Sequence, residues 1–250
     1  MKRQILLTVL AAFWTASLGG SAHAAQTESR HFTPQERKEI VQIVSQALKK
    51  DPQILSDAIQ SLRQQATEEM QERGLKAVKA HYSALEAAPP YAVKGNPQGK
   101  VTVIEFLDPR CGYCRHMMPV LDKFLKRHPD VKLIEKLVPV LGPASLLDVQ
   151  AIFAAAMQNH YEQMRLALMK ETAKSDQGKI ETLAKEQGLD LEKFRKDMKG
   201  PAVKALIAIN VGQAQAIGLD GTPTFIFGQA AVIPGAISLD QLDQILEKVR

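Results

Sequence analysis

Cysteine is nearly absent from this chain of 250 residues: there are two, Cys111 and Cys114, both in the stretch "DPRCGYCRHMMP". Two cysteines allow one disulfide at most. Tryptophan is rarer still, with Trp14 alone. No run of one charge sign occurs. The formal net charge is +5, but Lys and Arg are spread among Glu and Asp, without the basic run that tracks phosphates, which argues against a nucleic-acid partner. Internal repeats and low-complexity segments are missing too. After the first twenty residues no apolar run approaches the ~20 residues of a membrane span. What remains is an ordinary globular composition, 45% hydrophobic and 24% charged, long enough for one good core plus an appendage.

The N-terminus carries the first positive signal. Lys2 and Arg3 precede "ILLTVLAAFWTASLGGSA", and Ala22-His23-Ala24 supplies small residues at a cleavage position. A charged segment, an apolar segment and an A-x-A site form the layout of a secretory signal peptide. A membrane anchor is the other reading, but Gly19, Gly20 and Ser21 cut the apolar stretch short. The expectation is cleavage near Ala24 and export to the periplasm or an equivalent compartment. Cleavage would remove Trp14 and two cations, taking the formal charge from +5 to +3.

Export changes how the cysteines are read, because thiols outside the cytosol tend to be oxidised. A structural disulfide stabilises mainly by closing a long loop of the unfolded chain, and C-x-x-C closes almost none. A tetrahedral zinc site needs about four ligands, and only His116 is near. Copper(I) held by the thiols with Met117 and Met118 is a further option, although methionine on a helix is usually core filling. A c-type haem requires C-x-x-C-H, and Arg115 occupies the histidine position. No metal or cofactor is expected.

Context sharpens the redox reading. "VTVIEFL" reads as a buried strand, and the helical pattern after the cysteines runs through Met117, Leu121 and Phe124 to His128-Pro129. Cys111 therefore opens a helix, where unsatisfied backbone N–H groups and the positive end of the dipole favour thiolate. Such a thiolate attacks disulfides, and Cys114, one turn on and more buried, can resolve the mixed disulfide. Gly112 and Tyr113 between them tune that reactivity. Glu105 stands in the middle of the apolar strand. Either it faces solvent, or it is a buried acid that relays a proton to Cys114. Asp108 reads as a loop or cap residue, and Arg110 and Arg115 as solvated cations.

Around this centre, residues 25–90 read as three helices and a linker. Thr33, Pro34 and Glu36 suit an N-cap, first and third helical position, and Asp51-Pro52 separates the first helix from the second. These helices cannot form a core alone, so they pack on the main domain or on a second copy. "AAPPYAVKGNPQGK" is the best boundary. A second strand, "VKLIEKLVPV", is followed by a helical block at about 143–219, a hairpin of "TPTFIFG" and "AAVIPGAI", and a helix capped by Ser238. A right-handed crossover makes the first two strands parallel and the hairpin adds antiparallel partners, giving a mixed α/β sheet. Thr222-Pro223 opens a strand where a cis bond is permissible.

With "EFLDPRCGYC" and "GTPTFIFG" in place, residues 91–250 resemble the DsbA-like thiol–disulfide oxidoreductases of the bacterial periplasm. That resemblance implies a thioredoxin fold with a helical insertion and a redox-active Cys111–Cys114 pair. It implies that Pro223 is cis against the sulfur, that Thr222 and Pro223 meet substrate beside Gly112 and Tyr113, and that Glu105 assists proton transfer. Gly-Tyr between the cysteines and Thr before the proline match the isomerase DsbC more closely than the oxidases. "KKDPQILSDAIQSLRQQ" is similar to the N-terminal part of the exported ScsC type, which implies a homo-oligomer, dimer or trimer, built through this region. The implied partners are unfolded or misdisulfided periplasmic proteins and a membrane redox partner of DsbB or DsbD type.

Overall fold

The computed structural model describes residues 32–171 and 175–250. The expected signal peptide, residues 1–24, lies outside them. The chain divides into two compact units, one ending at Ala58 and the other spanning Ile59–Arg250.

The first unit holds α1 (Pro34–Lys50) and the start of α2 (Gln53–Glu86). Thr33 caps α1 with Pro34 at the first position: Glu36 N–H donates to Thr33 Oγ1 at 3.3 Å, and Thr33 N–H donates to the Glu36 carboxylate at 2.7 Å. Such a reciprocal box satisfies two donors that a helix start otherwise leaves open. Asp51 ends α1, and its carboxylate accepts from Gln53 N–H to start α2. None of the α1 residues is buried. The expected third helix is not separate: α2 runs unbroken for 34 residues. Gly74 alone interrupts its side chains, at a cost of about 1 kcal/mol that does not end a helix.

The second unit is built on a five-stranded sheet in the order β1-β3-β2-β4-β5. Its strands are β1 (Val93–Gly95), β2 (Val101–Leu107), β3 (Val131–Leu137), β4 (Thr224–Phe227) and β5 (Ala231–Pro234). Strands β2 and β3 pair in parallel through the crossover helix α3 (Gly112–Arg127), and the β4–β5 hairpin runs antiparallel beside β2. The mixed sheet has the expected arrangement, with one addition. β1 lies inside the stretch read as linker and pairs antiparallel with β3. Three residues ending in Gly95 carry too little apolar pattern to read as a strand.

Helices cover both faces, which explains why β2 is apolar almost throughout. On one face Met117, Leu121 and Phe124 of α3 pack with Val103, Leu133 and Phe225, and with Leu242 and Leu246 of α9 (Leu239–Val249). On the other, Ile104, Phe106 and Ile134 pack with Val78 and Leu85 of α2 and with the end of α8 (Pro201–Ala216). Lys136 donates to the Ala87 carbonyl at 2.6 Å and pins the exit of α2 to the same face. The body of this unit therefore starts well before the boundary expected at residue 91, because the second half of α2 completes its core. Between β3 and β4, α4 (Pro143–Ala156), α5 (Tyr161–Lys170), α6 (Gln177–Glu186), α7 (Leu191–Met198) and α8 fill the span expected to be helical. No helix among the described residues is long and apolar enough to cross a membrane.

Cutting the chain at two points tests this core. A protein starting at Ile59 should keep the unfolding midpoint of the full chain. One starting at Tyr91 loses Val78 and Leu85 and should be destabilised by more than about 2 kcal/mol in urea titration. Equal stability of the two would contradict the packing described.

Candidate active site

The site forms where β2 hands over to α3. Val138 N–H donates to the Leu107 carbonyl at 2.9 Å and so extends the β2–β3 pairing past the strand ends. Asp108 follows, fully buried. Its carboxylate accepts from Arg110 N–H at 2.8 Å and from Leu141 N–H at 3.0 Å, tying the β2–α3 loop to the β3–α4 loop. It is thus a loop-fixing residue, as the sequence suggests. Cys111 N–H donates to the Asp108 carbonyl, and Cys111 becomes the N-cap of α3.

Both cysteines are free thiols. Cys114 lies one turn into α3 and is buried; its burial pushes the thiol well above the ordinary thiol range, and Glu105 and Cys111 add to the effect. Cys111 is the more accessible of the two, but at 7% it is less open than the sequence suggests. The reason lies across the sheet. The peptide bond Thr222-Pro223 is cis, and Cys111 Sγ–H donates to the Thr222 carbonyl at 3.2 Å. The turn is itself held by Thr224 Oγ1–H donating to the Gly221 carbonyl and by Gly235 N–H donating to the Pro223 carbonyl. Gly112 and Tyr113, by contrast, face solvent, with Tyr113 68% exposed. Val140, Leu141 and Leu146, on and after the loop that Asp108 fixes, are exposed as well.

Behind the thiols stands Glu105, 2% exposed, so the solvent-facing reading of this residue is excluded. Burial first, and the neighbouring Glu135 carboxylate second, push its pKa from an ordinary 4.5 up to about 8. Arg110 and Arg115 are not solvated cations either. Arg110 bonds Asp148 and Ser175 at 3.2 and 3.1 Å. Arg115 donates from Nε to the Pro109 carbonyl, while its buried Nη2 finds no partner among the described residues. His116 is exposed, and among the described residues no three His, Cys, Asp or Glu side chains group as metal ligands would.

Sequence reasoning missed a second cluster. Glu135 sits on β3 opposite Glu105 and is buried. Its carboxylate meets Lys94 Nζ at 3.2 Å and Arg165 Nε at 3.3 Å, and accepts from Tyr161 O–H at 3.3 Å. Glu162 bonds the same two cations at 3.1 and 2.9 Å. A signal was available: Glu105 and Glu135 are each the fifth residue of an apolar strand, in "VTVIEFL" and "VKLIEKL". Lys94 and Arg165 gave none, since both look like ordinary surface cations in sequence.

A strand, a helix opened by the first of two cysteines, and a cis-proline turn against its sulfur define a thioredoxin-fold dithiol protein. The match of residues 102–247 to the DSBA-like thioredoxin domain places it further: the chain belongs to that family, the DsbA-like thiol–disulfide oxidoreductases. A thioredoxin-like oxidoreductase from Silicibacter pomeroyi is similar at 37% identity and a TM-score of 0.60, over 65% of this chain and 94% of that one. A linker-deletion mutant of Proteus mirabilis ScsC shares the fold over 88% of this chain and 98% of its own, at 24% identity and a TM-score of 0.61. So does Salmonella enterica Typhimurium BcfH, over 86% and 96%, at 23% identity and a TM-score of 0.67. Among curated proteins, a Na(+)/H(+) antiporter NhaA of Salinispora tropica is 27% identical over 135 residues, 53% of this chain. The chain spans about a fifth of the length of that relative, 21%.

Two outcomes follow from these charges. A carboxyl whose folded value lies above its unfolded one stabilises the fold fully below the unfolded value, and loses that contribution as pH rises through the folded one. Glu105→Gln, neutral at every pH, should therefore gain stability over the wild type progressively from pH 4.5 to about 8. A difference independent of pH in urea unfolding would contradict the burial of this acid. Arg165→Gln leaves a buried carboxylate short of its cation and should cost about 3–5 kcal/mol.

Proposed function

We propose that this chain is an exported thiol–disulfide oxidoreductase that forms and reshuffles disulfide bonds in periplasmic proteins through Cys111 and Cys114, working as a homo-oligomer. The observation that carries the reading is the contact of Cys111 Sγ with the Thr222 carbonyl beside cis Pro223. It sets the sulfur against backbone that an extended client segment can pair with. Tyr113 and Leu141, exposed and apolar around the site, offer the surface on which an unfolded client rests.

In the reaction Cys111 thiolate attacks a client disulfide. A Cys111–client bond forms, and the other client sulfur leaves as thiolate and takes a proton. If it instead attacks a different client disulfide, the thiolate freed there attacks the Cys111–client bond, Cys111 leaves as thiolate, and the client is rearranged with no net redox change. Alternatively Cys114 gives its proton to the Glu105 carboxylate and attacks Cys111 Sγ. The Cys111–Cys114 bond then forms, and the client leaves reduced. Run backwards, the second route oxidises the client, with protonated Glu105 supplying the proton to departing Cys114. Thr222, Pro223, Gly112 and Tyr113 contact the client. A membrane partner of DsbB or DsbD type resets the cysteines, and no metal or cofactor takes part.

Gly-Tyr between the cysteines and Thr before the proline favour reshuffling over oxidation alone. Self-association is supported by α1 and its surroundings, where Ile40, Val41, Ile43, Val44, Ile54 and Leu55 are all exposed. A row of apolar side chains at helical spacing with no burial of its own suits a second copy of the same helix. Export is supported by the N-terminal charged and apolar segments ahead of Ala24.

The test is reactivation of scrambled ribonuclease together with sedimentation mass. Full-length protein should reactivate the substrate and sediment as a dimer or trimer, and Cys111→Ser should lose activity at least about a hundredfold. Replacing Val41 and Val44 by Asp should yield a monomer that keeps dithiol exchange and loses reactivation. Reactivation unaffected by Cys111→Ser, or a monomeric full-length protein, would overturn the reading.

A further inference from the structure

Two carboxyl groups share one face of the sheet inside this protein, and among the described residues only one of them is paired. Glu105 of β2 and Glu135 of β3 are partners in the parallel register, so their backbones lie about 4.8 Å apart and their side chains share one face of the sheet. Both are buried. Two like charges that close in a poorly solvated interior cannot both persist without compensation, and one must hold a proton.

The cations decide which. Lys94 and Arg165 both form ion pairs with Glu135 and with Glu162, and among the described residues neither pairs with Glu105. Tyr161 donates its hydroxyl to Glu135 as well, and its burial holds that hydroxyl protonated well beyond the ordinary range. Glu135 thus accepts one hydrogen bond and lies at ion-pair distance from two cations, a setting that favours its ionised form. Arg165, charged at every working pH, comes from α5 of the helical insertion; Lys94 comes from β1 at the sheet edge. Cys111 and Cys114, at the start of α3, are within electrostatic reach of Glu105, and from β4 apolar Phe225 lies opposite it. Tyr91, stacked on Tyr161 with ring centroids 4.9 Å apart, completes the set.

We propose that Glu135 is a positioning residue of the exchange reaction: held as a carboxylate by Lys94 and Arg165, it keeps Glu105 protonated in the resting protein and so sets the pH at which Cys114 exchanges its proton. The inference rests on the reading of Glu105 as the proton carrier. In the resolving step the proton moves from Cys114 Sγ to the Glu105 carboxylate, and Glu135 neither gains nor loses one. Its part is to set, through its charge, the fraction of Glu105 that is ionised and so able to accept that proton at a given pH. The helical insertion thereby acts on the reacting sulfur through the charge of Arg165.

The experiment is a pH titration of the glutamate side-chain carboxyls by carbon NMR on the full, reduced chain, with the pH dependence of mixed-disulfide resolution measured alongside. In the wild type one buried carboxyl should titrate near 8, and that signal should vanish in Glu105→Gln and persist in Glu135→Gln. In Glu135→Gln the Glu105 midpoint should fall by about one pH unit or more, since it loses a like charge and keeps both cations. The resolution profile should move the same way. A Glu105 midpoint that stays or rises, or a high-titrating carboxyl that persists in Glu105→Gln, overturns the proposal. If Glu135→Gln does not fold, the wild type and Glu105→Gln titrations still decide which acid holds the proton. Resolution unaffected by Glu105→Gln would instead remove the proton-carrier reading, whichever acid is protonated.

Discussion

The antiparallel pairing of β4 with β2 is the constraint on which the rest of this protein depends. It joins two segments more than a hundred residues apart in sequence and sets the turn at Thr222-Pro223 beside the loop leaving β2. Glu105 is opposite Phe225 in that pairing, and Phe106 opposite Thr224. With β2 held by β3, a slip of one residue would turn the β4 side chains to the opposite faces of the sheet and carry the proline turn away from Cys111. The apolar side chains on both faces of β2 and β4 make such a slip costly, so the core fixes the register that the sulfur requires.

Burial then does opposite things to the two kinds of polar group near the thiols. Asp108 is buried and well bonded, and it serves as a fixed anchor between loops. Glu105 is buried beside a second acid and, among the described residues, forms no ion pair, which keeps it protonatable. The helical insertion contributes to both arrangements. Asp148 of α4 holds Arg110, and Arg165 of α5 holds Glu135. Helices α4 to α8 therefore supply charge to the site as well as the buried apolar cluster that includes both cysteines.

Much of this was legible in the sequence. The cysteine pair, the buried acid six residues before it and the proline before the fourth strand were all visible, because each breaks the pattern of its own segment. The parallel pairing of the first two strands read from the sequence, and the antiparallel partners beside them, followed from the crossover and the hairpin. Three things were not legible. β1 is too short to show a period. The second half of α2 reads as a polar helix, and only the sheet face it covers shows that Val78 and Leu85 are core. The partners of Glu135 come from β1 and α5, distant in sequence, and nothing local marks Arg165 as buried or Lys94 as half-buried. Charges paired across elements leave no trace in any single element.

The account stands or falls on the division of labour between the two thiols, and trapping of client adducts measures it directly. Full-length Cys114→Ser, offered an oxidised unfolded protein, should accumulate a stable mixed disulfide through Cys111, visible by mass spectrometry and released by dithiothreitol. Cys111→Ser should accumulate none. Adducts formed equally by Cys111→Ser, or none formed by either variant, would contradict a site in which the sulfur at the start of α3 attacks and the one behind it resolves.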